Sequence, residues 1–323
     1  MAYEHNLSLL SVPLFALCHN DVPEIVVHGK AFVYDPGAKT PQLPPAFTVI
    51  GRSLLNPWQF IACDIAGRED FWSIGLSMHS GQQMHMKAIE ILSQIANVTD
   101  DDLICPRQDP LDLDQVSFLK MMGYKALRKH HPNAGKHLLM LATCELRGYA
   151  KDTYWDIGHP IQKTLSALIG KEAKDRVQCV QDSCGLPSFS LNVRVLQNMW
   201  ASFAEESNAK AVHIKELWLA NPILVGGKGR LDSELTLAAG GKALVKEGSE
   251  GLLLVQSLPV AGQRVASVVL KLASGQGKSH LALGLLAALR ANPDLPDVFN
   301  DLKRYLENHI EKWASLSRRF VSY

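Results

Sequence analysis

Apolar and polar positions along the chain change period from one end to the other. Near the start, "EIVVHGKAFVYD" (24–35) is β-branched and aromatic in the manner of a strand or hairpin, and the apolar stretch "LSLLSVPLFALC" before it reads as a strand entering the core. A proline-rich loop, "PGAKTPQLPPAF" (36–47), follows. A helix is expected after Pro57, a buried strand over "DFWSIGLSM" (70–78), and an amphipathic helix over "QQMHMKAIEILSQIA" (82–96). The stretch 97–135 is a mixed, turn-rich connection, and helical spacing returns over 136–147, 160–174, 191–206 and 209–219. Three strands are expected within 243–273, then two closing helices, "SHLALGLLAALRA" and "VFNDLKRYLENHIEKW". Strands thus gather at both chain ends with helices between them. That order predicts an α/β (α+β) fold, with a mainly antiparallel sheet built from both ends and flanked by helices.

Composition narrows the partners. The 323 residues carry 33 basic and 32 acidic side chains, a formal net charge of +1, with no basic footprint for a phosphate backbone. No nucleic acid is expected as a partner. The six cysteines lack paired spacing, which points to reduced thiols and a cytoplasmic setting. The apolar N-terminal stretch has Glu4 and His5 where a signal peptide needs basic residues, and Pro13 interrupts it. No run reaches the roughly 18 apolar residues of a membrane span. A soluble protein with no membrane partner is expected.

Four short segments carry candidate chemistry. "SGQGKSH" (274–280) imitates the end of a phosphate-binding loop, but the position five before Gly277 is Leu272 where glycine is needed, so a turn between strand and helix is expected. "HHPNAGKH" (130–137) gathers histidines without a second pair at zinc spacing, and reads as a solvated loop. Gly135 and Lys136, opening a helix, offer an anion-binding end. "QDSCGLPSF" (181–189) puts Cys184 in a Gly/Pro turn, and a lone cysteine is ordinarily a small buried hydrophobe. In "GRSLLNPWQ", Ser53 and the residue three positions on share one helical face, where a buried lysine could activate the hydroxyl. That residue is Asn56, whose amide takes no proton near neutral pH. Asn56-Pro57 also suits a helix N-cap followed by proline.

Taken in order, "RSLLNPWQ", "MHSGQQMH" (78–85), "NAGKHLLML" (133–141), "GHPIQ" (158–162), "QDSCGLPSF", "NPILVGGKGRLDSEL" (221–235) and "ALVKEGSEG" (243–251) resemble blocks of the rhizobial-type L-asparaginases. This asparaginase II family looks like the serine β-lactamases and glutaminases in fold. The resemblance covers most of residues 45–275. It implies a single asparaginase-like unit over 1–323, divided as 1–175 and 176–323, and a homodimer. It also implies hydrolysis of L-asparagine to L-aspartate and ammonia through a serine acyl-enzyme.

Carried over by position, the nucleophile is Ser53, and its partner lysine has become Asn56. The serine of a second serine–lysine pair falls on Met78, beside Ser77 and Ser80, while its lysine is retained as Lys246. Ser53 with Lys246 as base is the surviving split pair. Arg52, His79, Ser80, Lys136, Asp182 and Arg230 are the implied substrate-binding residues. The family's zinc, held by two cysteines and a lysine, would here have Lys136 and Cys184, with Asn133 in place of one cysteine. The alternative is a catalytically degenerate homologue that binds a small amino acid or a protein partner.

Overall fold

A computed structural model describes residues 8, 10–37, 47–173, 177–275, 277–314 and 318–323. The proline-rich loop expected over 36–47 and the tip of the 274–280 turn lie largely or partly outside them. The strands are β1 Pro13–His19, β2 Val22–Tyr34, β3 Thr48–Ile50, β4 Gln178–Gln181, β5 Pro187–Asn192, β6 Ala243–Gly248, β7 Leu252–Ser257, β8 Ser267–Leu272 and β9 Arg319–Ser322. The chain gathers into two compact units. One is Met1–Val49, Leu191–Glu206 and Glu234–Tyr323; the other is Ile50–Ser190 and Ser207–Ser233.

The first unit is built on a six-stranded sheet in the order β6-β7-β8-β2-β1-β9, so both chain ends do contribute. Its described pairings, β1–β2, β1–β9, β2–β8, β6–β7 and β7–β8, are all antiparallel. β1 and β2 are joined through Asn20 and Asp21, whose φ angles of 48° and 67° place both in the left-handed region that matches strand twist in a two-residue turn. Every position of β6 and β7 is buried, as in strands covered on both faces. Helix Val193–Glu205 packs on β2, β7 and β8, and helix Lys278–Ala291 on β1, β2 and β8. Lys278–Ala291 also packs against Asp297–Asn308, and Leu281 through Leu289 are accordingly all buried. Asp297–Asn308 needs only one apolar stripe, Val298, Phe299, Leu302 and Leu306.

The second unit is mainly helical. Helix Ala134–Arg147 is buried from Ala134 through Cys144, packed by Gln83–Ala96, Asn56–Cys63 and the turn Asp70–Leu76. Helices Pro160–Ala173, Ala209–Ala220 and Pro222–Val225 pack against Asn56–Cys63 or Asp70–Leu76. Its β4–β5 hairpin pairs Gln181 with Pro187 and so presents 182–186 as a loop.

Two local expectations fail here. Residues 70–76 form a 3-10 helix, not a strand. A short buried apolar run does not declare its period, and here Trp72 N–H bonds the Glu69 carbonyl while Ser73 Oγ bonds that of Asp70 at 2.6 Å, closing successive turns. Asn56 is not an N-cap either: Leu55 occupies that position and Asn56 lies inside the helix, its side chain turned inward. The close approach of Ala134–Arg147 to 70–76 explains Gly135, since a Cβ there would stand 2.2 Å from the Ile74 carbonyl oxygen.

Candidate functional site

Ser53 sits in the 3-10 turn Arg52–Leu55, which runs into helix Asn56–Cys63, and is 1% exposed. The residue before it is strained: Arg52 has φ 46°, the left-handed region that a non-glycine residue enters at a cost of about 1–3 kcal/mol. The surroundings hold it there. Arg52 N–H donates to Ser188 Oγ at 3.0 Å, and its guanidinium Nη1 donates to Asp182 Oδ1 at 2.8 Å. Asp182 stands at the head of the β4–β5 loop, its N–H bonded to the Leu186 carbonyl. Its other oxygen lies 3.7 Å from Lys136 Nζ, within ion-pair range but too long for a hydrogen bond. One buried carboxylate thus ties the Ser53 turn to the first turn of helix Ala134–Arg147.

Around Ser53 the polar groups divide into those spent on the backbone and those left open. Ser53 Oγ donates to Asn133 Oδ1 at a long 3.4 Å, an amide oxygen without basicity near neutral pH. Asn56 spends both amide hydrogens on the carbonyls of Leu76 and Ser77, at 2.9 and 3.1 Å, leaving Oδ1 unpartnered. Those carbonyls lead into the segment Ser77–Ser80, which is stitched on both sides. Met78 and Ser80 donate to the carbonyls of Val225 and Gly226, and His79 N–H donates to that of Pro132. Gly227 makes room for it: its φ is 149°, and a Cβ there would lie 2.2 Å from Ser80 Oγ. Ser77 Oγ, Ser80 Oγ, Lys136 Nζ and both ring nitrogens of His79 are buried without a hydrogen-bond partner. An unsatisfied buried polar group costs about 1–3 kcal/mol, so each of these atoms is open to a further polar partner.

The histidine-rich stretch is a correction: it is not a solvated loop, since His130, His131 and His137 are all buried. Two of them cap the backbone. His130 Nδ1 accepts from Leu127 N–H at 3.0 Å, and His131 Nδ1 from Asn133 N–H at 3.1 Å. Burial, then the nearby Lys136, lowers the His131 pKa to about 4. Burial also lowers His85 to about 4 and, with Lys136 and His131 adding to it, holds His137 well below the usual range. The anion-binding helix end expected at Gly135 and Lys136 is also largely occupied: the N–H groups of Ala134, Lys136 and His137 are bonded to the carbonyls of His131 and Asn133.

The residues implied for zinc do not fit it. Asn133 Oδ1 accepts from Ser53, Lys136 is turned to the Asp182 carboxylate, and Cys184 is the one thiol of the set. Among the described residues no group of three or more His, Cys, Asp or Glu is placed to hold a metal. Zinc takes four N, S or O ligands, each of them deprotonated.

Of the remaining implied residues, Arg230 closes the Gly227 turn through its N–H at 3.1 Å and contributes charge near His79 and His85. Lys246 lies on β6 in the first unit, opposite Leu254 and fully buried. Sequence reasoning missed Ser188, which holds Arg52, and Tyr154, whose hydroxyl lies 2.7 Å from His137 Nδ1 and accepts from Ile104 N–H. Neither has a local signal, because each partner is distant in sequence.

A model of the L-asparaginase II family matches residues 21–317. A search of curated proteins matches none to this chain. Among the described residues no helix is long and apolar enough to cross a membrane.

Proposed function

Because the chain belongs to the L-asparaginase II family, an asparaginase-like amidohydrolase acting on a small amide, we propose that it hydrolyses L-asparagine through an acyl-enzyme on Ser53. The observation that carries this reading is the buried Ser53 on a turn strained at Arg52, within a group of unpartnered polar atoms. Ser53 Oγ adds to the side-chain carbonyl carbon while its proton passes to a base. The C–N bond then breaks, and the amide nitrogen takes a proton and leaves as ammonia. Water opens the resulting ester to give aspartate and restore the hydroxyl. The resemblance assigns the base to Lys246, a role worth about 10²–10⁴-fold. Asp182, paired with Arg52 and Lys136, orients the Lys136 ammonium for the substrate carboxylate. The homodimer and cytoplasmic setting belong to the same proposal.

One observation favours a second reading, a binding protein that has lost its chemistry. Within its own unit, Ser53 faces the Asn133 amide, and the neighbouring Asn56 has spent its donors on the backbone. Ammonia release from L-asparagine, with Ser53→Ala as control, separates the two. Release that vanishes in the control supports the hydrolase; saturable asparagine binding with no release above the control supports the binder.

A further inference from the structure

The buried histidines of the described chain differ in one respect. His85, His130, His131, His137, His159 and His213 each have a ring nitrogen in hydrogen-bonding contact with a named partner. His79 is 0% exposed and neither of its ring nitrogens has one. Its neighbour His85 stacks on it with ring centroids 5.4 Å apart, but spends Nδ1 on Gln82 N–H and Nε2 on the Ile223 carbonyl, so it has no ring nitrogen left for His79. The His79 backbone is bound to Pro132, whose successor Asn133 accepts from Ser53 Oγ. The His79 backbone is thus bonded one residue away from the partner of Ser53, and the groups acting on its ring include His131 and His130 of the same segment together with His85 and Arg230.

We propose that His79 is the specificity residue that reads the N–H of the substrate carboxamide and so separates asparagine from aspartate; this rests on the amide-hydrolase reading above. Burial above all, with the neighbouring histidines and Arg230 acting in the same direction, disfavours the imidazolium, so the ring is neutral at neutral pH. A neutral imidazole carries one N–H and one lone pair, whichever tautomer it adopts. The N–H finds an acceptor on an amide or an acid alike. The lone pair needs a donor, which a primary carboxamide has and a carboxylate lacks. Binding aspartate leaves that lone pair facing another acceptor. A site that must satisfy a buried acceptor rejects the analogue without the donor, which also favours release of the acid product.

The test is calorimetric titration of the Ser53→Ala chain, which stops turnover, with L-asparagine, L-aspartate and the β-methyl ester of L-aspartate. The ester keeps the carbonyl and lacks the N–H. We expect asparagine to bind about tenfold or more tightly than either. His79→Leu should bring the asparagine-to-aspartate ratio close to one without lowering the melting temperature, since no side-chain hydrogen bond is lost. His79→Gln, whose amide oxygen accepts, should keep most of the preference. Equal binding of asparagine and the ester overturns the proposal without any change at His79. So does an unchanged ratio in His79→Leu, or an equal loss for asparagine and aspartate, which would mean that His79 reads the ammonium common to both. Binding of none of the three by the chain that retains His79 overturns the asparagine-hydrolase reading along with it.

Discussion

Both units bury polar side chains, and they differ in which groups those side chains hold. In the sheet unit, Gln197 donates to the Phe32 carbonyl, Gln256 to those of Ser257 and Ala266, and Ser257 and Ala266 exchange bonds across the strand end. These groups join elements of the scaffold. In the helical unit, Ser77, Ser80, His79 and Lys136 are buried as deeply and keep hydrogen-bonding atoms open. Gln197 Oε1, Gln256 Oε1 and Ser267 Oγ of the sheet unit are unpartnered as well, so neither burial nor an open atom alone separates scaffold from site; the helical unit differs in that its open atoms include Lys136 Nζ and both ring nitrogens of His79.

Breaking the central ion pairs of the helical unit should have the largest effect. Asp182→Asn leaves Lys136 and Arg52 without their carboxylate, and should cost about 3–5 kcal/mol of stability, read as a lower denaturation midpoint, together with most of the activity. In the sheet unit, Leu270→Ala empties a fully buried position and should cost about 2–5 kcal/mol while leaving kcat/KM of the folded fraction near its original value. A comparable loss of kcat/KM would dissolve the distinction between the units.

Gly135→Ala tests the backbone approach inside the helical unit. Because the added methyl meets a carbonyl oxygen, about 1–3 kcal/mol of destabilisation is expected from thermal melts. The histidines add a dependence on acid. Folded His85 and His131 stay neutral down to about 4, whereas in the unfolded chain each takes a proton near 6.5. Between those values the unfolded state binds more protons, so stability should fall as pH drops from about 6.5 to about 4 and stay level with respect to these groups above that window. Denaturant midpoints at successive pH values check the sign. The smallest effect is expected from chelation: with a donor set that does not suit zinc, a strong chelator should leave ammonia release and melting temperature unchanged.

Much of the scaffold was legible in the residues alone. The amphipathic run at 82–96 became helix Gln83–Ala96, and the stretches within 243–273 became β6, β7 and β8, because period and β-branching act locally. The motif blocks "RSLLNPWQ" and "QDSCGLPSF" marked the family, which the match over residues 21–317 bears out. The 70–76 segment was misread because a short apolar run fits strand and helix alike, and side-chain bonds to nearby carbonyls decide between them. The histidine stretch was misread because exposure depends on what packs over a segment.

By itself, then, the sequence determined the elements with a clear period, the near-neutral charge balance and the motif blocks that mark the family. Only the tertiary structure decided that the Asn56 donors go to Leu76 and Ser77, that Asp182 pairs with Arg52 and Lys136, and that His79 keeps both ring nitrogens open. The reason is physical. Periodicity is a property of neighbours along the chain, whereas satisfying a buried polar atom depends on groups brought within about 3 Å of it by folding, from far away in sequence.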